Sequence, residues 1–113
     1  MFSLGKILLR FISLILGISP SGNFPPPLSK SEEEELFLKM KKGDKGARAK
    51  IIEHNLRLVS HVIRKYYSSY GDEEELLSIG SIGLIKAVDT FKSDKGTRFA
   101  TYGAKCVQNA ILS

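Results

Sequence analysis

Residues 44–68, DKGARAKIIEHNLRLVSHVIRKYYS, decide the fold. Ala47, Ile51, Ile52, Leu56, Val59, Val62, Ile63 and Tyr66 recur at spacings of three and four, the period of one helix face. Asp44 stands where an N-cap accepts the first free amides. The other face carries Lys45, Arg48, Lys50, Arg57, Arg64 and Lys65, which suits a solvated surface or a row of phosphate contacts. So long an amphipathic helix must be covered by partners, and the flanking sequence supplies them as helices.

Upstream, Ser31 followed three residues later by Glu34 reads as a capping box that opens a helix with Leu36, Phe37 and Met40 on one face, and Gly43 closes it. Downstream, Gly71 and Asp72 break the chain before Glu73, Glu74 and Glu75, acids suited to the positive end of a helix dipole. That helix continues as LLSIGSIGLIKAVDTF. Gly80 and Gly83 within it each forfeit about 1 kcal/mol of helix propensity relative to Ala, and glycines three apart imply another helix at close quarters. No stretch alternates with period two between hairpin signals, so the expected fold is all-α.

A chain of 113 residues holds one core, and its 42% hydrophobic and 26% charged residues exclude a disordered or collagen-like chain. The single cysteine, Cys106, excludes a disulfide framework and reads as a small apolar residue. His54 and His61 lie seven apart with no third ligand, and there is no nucleophile elbow, phosphate loop or ordered triad. Neither an enzyme nor a metal or cofactor site is therefore expected. The net charge of +5 favours a polyanionic partner, nucleic acid or acidic lipid. The charge comes in blocks: residues 44–70 and the tail from Lys92 are basic, while the stretch 71–91 between them is acidic.

The stretch SPSGNFPPPLS, residues 19–29, is the clearest linker, because three consecutive prolines fix φ and remove amide donors. Before it, residues 1–18 form a broad apolar surface with Lys6 and Arg10 on a narrow polar stripe, the pattern of a helix lying in a membrane interface. A secretory signal peptide and a helix covered by the downstream core are the competing readings. At the other end, FKSDKGTRFATYGAKCVQNAILS places Phe91, Phe99 and Tyr102 among Lys92, Lys95, Arg98 and Lys105. Rings stack on unpaired bases and cations hold the backbone, but rings at helical spacing also serve as core.

From Leu28 onward the chain resembles the sigma-70 family of bacterial RNA polymerase sigma factors. The matching pieces are LSKSEEEELFLKMKKGDKGAR, IIEHNLRLVSHVIRKYY, EELLSIGSIGLIKAVDTF and KGTRFATYGAKCVQNAI, in the family's order and spacing. Within that family it looks most like the precursor of a late sporulation factor. The resemblance implies that residues 30–113 comprise sigma regions one-two and two, a small helical domain that docks on the polymerase core and captures the non-template strand of a melted promoter. Phe91, Lys95, Arg98, Phe99, Thr101 and Tyr102 match positions around one flipped base, and Asn55 and Leu58 match positions near a second. Lys105 and Cys106 fall where the family often has two tryptophans, which implies weaker melting. Asn109 and Leu112 fall where the family reads bases upstream; Asn109 has donors and an acceptor for a base edge, whereas Leu112 has neither.

By the same resemblance Glu75, Leu76, Ser78, Ile79, Ser81, Ile82 and Ile85 would meet a coiled coil on the largest polymerase subunit. Residues 1–18 would hold an inactive precursor, cytoplasmic and peripherally attached to the membrane, until an intramembrane protease cuts near Gly17, Ile18, Ser19, Pro20 and Ser21. The chain is expected to end inside the promoter-reading helix, leaving later regions of the factor to be supplied. A membrane-surface helical adaptor that binds protein alone is the rival reading.

Overall fold

The computed structural model describes residues 24–67, 72–93 and 96–113. Four helices make up these residues, with no strand among them: α1 (Lys30–Lys41), α2 (Lys45–Tyr66), α3 (Glu73–Thr90) and α4 (Phe99–Leu112). The expected all-α fold is present. The membrane-interface helix, Gly71 and the cleavage stretch Gly17, Ile18, Ser19, Pro20 and Ser21 lie outside the described residues. None of the described helices is long and apolar enough to cross a membrane.

Each helix start has a chemical cause. Ser29, not Ser31, begins α1: its hydroxyl accepts from the Glu32 amide at 3.2 Å, and the Glu32 carboxylate accepts from the Ser29 amide at 2.9 Å. Both serines fit the same four-residue pattern, but the helix starts as soon as the proline-locked chain ends, which leaves Ser31 inside the first turn. The Ser29 amide, and then its hydroxyl, hold the Glu32 carboxyl below its ordinary pKa. Asp44 caps α2 through the Ala47 amide, and Asp72 caps α3 through the Glu74 and Glu75 amides. Gly43 turns the chain between α1 and α2 at φ +96°, a conformation glycine adopts without strain. The second helix ends at Tyr66, slightly before the expected Ser68.

The core is the apolar face of α2 packed under the other three helices, with Ile51, Val59, Val62, Ile63, Leu84, Val88, Phe99 and Val107 among its fully buried side chains. The two glycines of α3 face α2 and α4 as their spacing implied. A Cβ on Gly80 would come within 2.6 Å of Val59 Cγ1, and one on Gly83 within 2.9 Å of the Cys106 carbonyl oxygen. Lost helix propensity is thus exchanged for close helix contact, against side chains at Gly80 and against the α4 backbone at Gly83. Phe24 and Leu28 are buried as well, so the last part of the linker belongs to the packed body.

Arg48 of α2 pairs with Asp89 near the end of α3 through two hydrogen bonds, at 2.8 and 2.9 Å. The Arg48 guanidinium holds the Asp89 carboxyl below the usual aspartate range. A carboxylate whose pKa is depressed by folding stabilises the fold above its unfolded-state pKa of about 4 and loses that stabilisation as pH falls further. Because both side chains are more than a third exposed, solvent screening keeps the contribution below about 1 kcal/mol. Urea titrations at pH 7 and pH 3 should show that Asp89→Asn lowers the midpoint at pH 7 and changes it far less at pH 3. An equal loss at both values would assign the effect to packing.

Candidate nucleic-acid interface

Four rings gather where α1, α3 and α4 converge. Phe91 lies 5.0 Å from Phe37, 5.3 Å from Phe99 and 5.6 Å from Tyr102 between ring centroids. Their exposure divides their roles. Phe99 is 0% exposed, so in this conformation it supports the other rings and cannot itself stack on a base. Phe91 and Tyr102 are half-buried, and the Tyr102 hydroxyl is 2.7 Å from Thr90 Oγ1. Thr90, Phe91, Lys92, Thr97 and Tyr102 enclose a cavity of about 350 Å³. It has aromatic walls and a cation at its rim. Lys95 lies outside the described residues.

A second cavity of about 260 Å³ opens between α2 and the start of α4, lined by Pro27, His54, Asn55, Arg57, Leu58, His61 and Ala100. It contains both Asn55 and Leu58, the pair assigned to a second base. One Asn55 amide hydrogen is donated to the Ile51 carbonyl at 2.8 Å, which fixes the side chain's orientation and leaves its oxygen free of that bond. Thr101, Lys105 and Asn109 are exposed at successive i, i+4 positions, so they form one polar stripe along α4, and exposed Leu112 follows in the last turn.

Arg98 is turned largely toward the protein. Its guanidinium donates to the Leu28 carbonyl at 3.1 Å and lies 3.4 Å from Glu33 Oε1, while Glu33 Oε2 accepts from the Phe99 amide at 3.0 Å. Glu33 is therefore the cap of α4, supplied from α1, since Arg98 offers that helix no side-chain cap. On α3, Glu75, Leu76, Ile79, Ile82 and Ile85 are partly exposed. Ser78 and Ser81 are 0% exposed, and Ser81 donates its hydroxyl to the Leu77 carbonyl. Their short side chains end inside the packed structure, so neither forms part of a contact surface here. Among the described residues no cluster of three metal-ligating side chains occurs.

The chain matches the Sigma-70 region 2 family over residues 51–113. It belongs to that family. It is 44% identical to the RNA polymerase sigma-K factor of Bacillus subtilis (strain 168) over 110 residues, which is 97% of this chain and 37% of that protein. It is also similar to the RNA polymerase sigma-28 factor of Bacillus thuringiensis subsp. kurstaki, at 43% identity over 93% of the chain and 44% of the relative. With the RNA polymerase sigma-E factor of Clostridium acetobutylicum the identity is 45%, over 96% of the chain and 48% of the relative. The chain thus spans less than half the length of these curated relatives.

Beyond the binding residues singled out from the sequence, the structure of this region 2 chain adds Thr97, Pro27 and both histidines to the cavity walls and Glu33 to the start of α4. Glu33 had one legible signal: it precedes Phe37 by one helical turn, on the face that α1 buries. Removing a buried acceptor leaves the Phe99 amide unpaired, at a cost of about 1–3 kcal/mol. Glu33→Ala should therefore lower stability by that amount in urea unfolding, and Glu33→Gln, which keeps an acceptor, should recover about half of it. Equal loss in the two variants would mean that the pairing with Arg98, not the cap, holds the junction.

Proposed function

We propose that this chain is the part of a bacterial sigma factor that captures unpaired promoter DNA while docked on the RNA polymerase core. What carries the reading is a single arrangement: two base-sized cavities, one walled by Phe91 and Tyr102 with Lys92 at its rim and one by Asn55 and Leu58, with exposed Lys105 on α4. A base leaves the stack for such cavities only if ring contact and backbone neutralisation offset the unpairing, and stacking on a ring contributes about 1–3 kcal/mol. The half-exposed Glu75, Leu76, Ile79, Ile82 and Ile85 offer the polymerase an acidic-apolar face, fitting a basic coiled coil on its largest subunit.

Anisotropy titration of the non-template strand of a minus-ten element tests the DNA reading, in the presence of polymerase core. Tyr102→Ala should weaken binding by about 5- to 150-fold, the equivalent of one lost stack, while Tyr102→Phe stays close to the parent. Lys105→Ala should weaken all sequences alike and flatten the logarithmic salt dependence by about 0.7. Binding that ignores salt, or a Tyr102→Ala chain that binds as the parent does, would leave the protein-only adaptor as the better account.

The relatives named sigma-K and sigma-E support a sporulation role, and the amphipathic pattern of residues 1–18 supports a membrane-held precursor that a protease in the membrane releases near Gly17 to Ser21. The full chain should float with vesicles containing anionic lipid, and a chain lacking residues 1–18 should remain at the bottom of the gradient. Co-flotation of the shortened chain would exclude this segment as the tether.

A further inference from the structure

Three hydrogen bonds tie residues 24–28 to the helical body, and two of their donors, His54 and Arg57, line the second cavity. Arg57 Nη2 donates to the Phe24 carbonyl at 2.9 Å, His54 Nδ1 to the Pro26 carbonyl at 2.8 Å, and Arg98 Nη2 to the Leu28 carbonyl at 3.1 Å. Successive anchors are two residues apart. At a polyproline rise of about 3.1 Å per residue, the segment offers an accepting oxygen roughly every 6 Å. Prolines suit this task, because they bring no amide hydrogens that need partners and their fixed φ holds the oxygens in a row at small entropic cost. Buried Phe24 and Leu28 secure the two ends.

The segment builds the cavity without filling it: Pro27 forms a wall opposite Asn55 and Leu58, and about 260 Å³ remains open. A guanidinium committed to a backbone carbonyl has fewer donors for a passing phosphate, and phosphate binding is the component of affinity that ignores sequence. A wall, in contrast, restricts which base enters. Resting on the function proposed above, we propose that residues 24–28 are a specificity strap. The strap withholds Arg57 and Arg98 from sequence-blind phosphate contacts and gives the second cavity the surface against which a base is selected. It lies C-terminal to the proposed cleavage stretch, so the processed protein would keep it.

Two variants of the full chain separate the two effects. Phe24→Ser removes a buried anchor and releases the strap, whereas Pro27→Gly removes the wall and leaves the three carbonyl anchors. Each is titrated by anisotropy with single-stranded oligo(dT), oligo(dC) and oligo(dA) of equal length across a series of salt concentrations, with circular dichroism as the folding control. The parent chain should bind the three with unequal affinity. Phe24→Ser should bring the three affinities together and steepen the logarithmic salt dependence by up to about 1.4, the single-strand figure for two released cations. Pro27→Gly should bring the affinities together without changing the slope. If Phe24→Ser fails to fold, the spread of affinities in Pro27→Gly decides. A parent-like spread in the folded variants overturns the strap and leaves the DNA reading standing. A parent chain that binds none of the oligonucleotides overturns both.

Discussion

A helix whose own N-cap side chain offers its first amides no acceptor must take one from elsewhere, and α4 takes it from Glu33. The two oxygens of that buried carboxylate serve different partners: one accepts the Phe99 amide and the other faces the Arg98 guanidinium. Arg98 then reaches the Leu28 carbonyl, so one acid fixes the start of α4, the packing of α1 and the end of the strap. Both cavities depend on this junction. Tyr102, on the wall of the first, lies one turn after Phe99, and Ala100, on the wall of the second, follows Phe99 directly. An uncapped amide there would cost about as much as one base stack contributes, and an unpaired buried charge would cost more, which places the constraint inside the fold and not on its surface.

Local chemistry made the helices legible. Asp44 and Asp72 cap where their positions say they should, because a carboxylate before an apolar periodic run has few other uses. Gly80 and Gly83 announced the helix contact for the same kind of reason: a residue that weakens a helix persists in its middle where a neighbouring helix fills the space. Reading failed where identical local patterns compete. Two serines each precede a glutamate by three residues, and only the end of the proline run selects Ser29. Likewise Glu33 is one of four consecutive glutamates, and its burial follows from the face it shares with Phe37.

The candidate site was legible in composition but not in depth. Aromatic residues among cations marked the segment that lines the first cavity, yet period alone does not say which ring lies underneath. Phe99 lies buried beneath Phe91 and against Phe37 of α1, while Phe91 and Tyr102 reach the cavity. The same limit applies to α3, where Ser78 and Ser81 fall within the matched stretch but end inside the packed structure, leaving its larger apolar residues and Glu75 partly open. Nor could the linker composition of residues 19–29 show that its last residues are packed. Prolines signal an extended chain, and extension is equally what a strap requires.

Charge placement keeps two surfaces of opposite sign apart. The acids at Glu73, Glu74 and Glu75 begin α3, and Phe91 follows its last residue, so a rise of 1.5 Å per residue separates the acidic turn from the aromatic cavity by about 25 Å. That is roughly three Debye lengths at physiological ionic strength, enough to screen the acids from a strand bound at the rings. Arg64 of α2, 3.4 Å from Glu73, and the positive end of the α3 dipole reduce the local repulsion among the acids further. At the far end Asp89 lies close to the cavities, but its charge is engaged by Arg48 through two hydrogen bonds. A strand approaching Phe91 and Tyr102 therefore meets Lys92 before any uncompensated acid among the described residues. One short bundle can in this way carry an acidic face and a cationic face without either repelling what the other would bind.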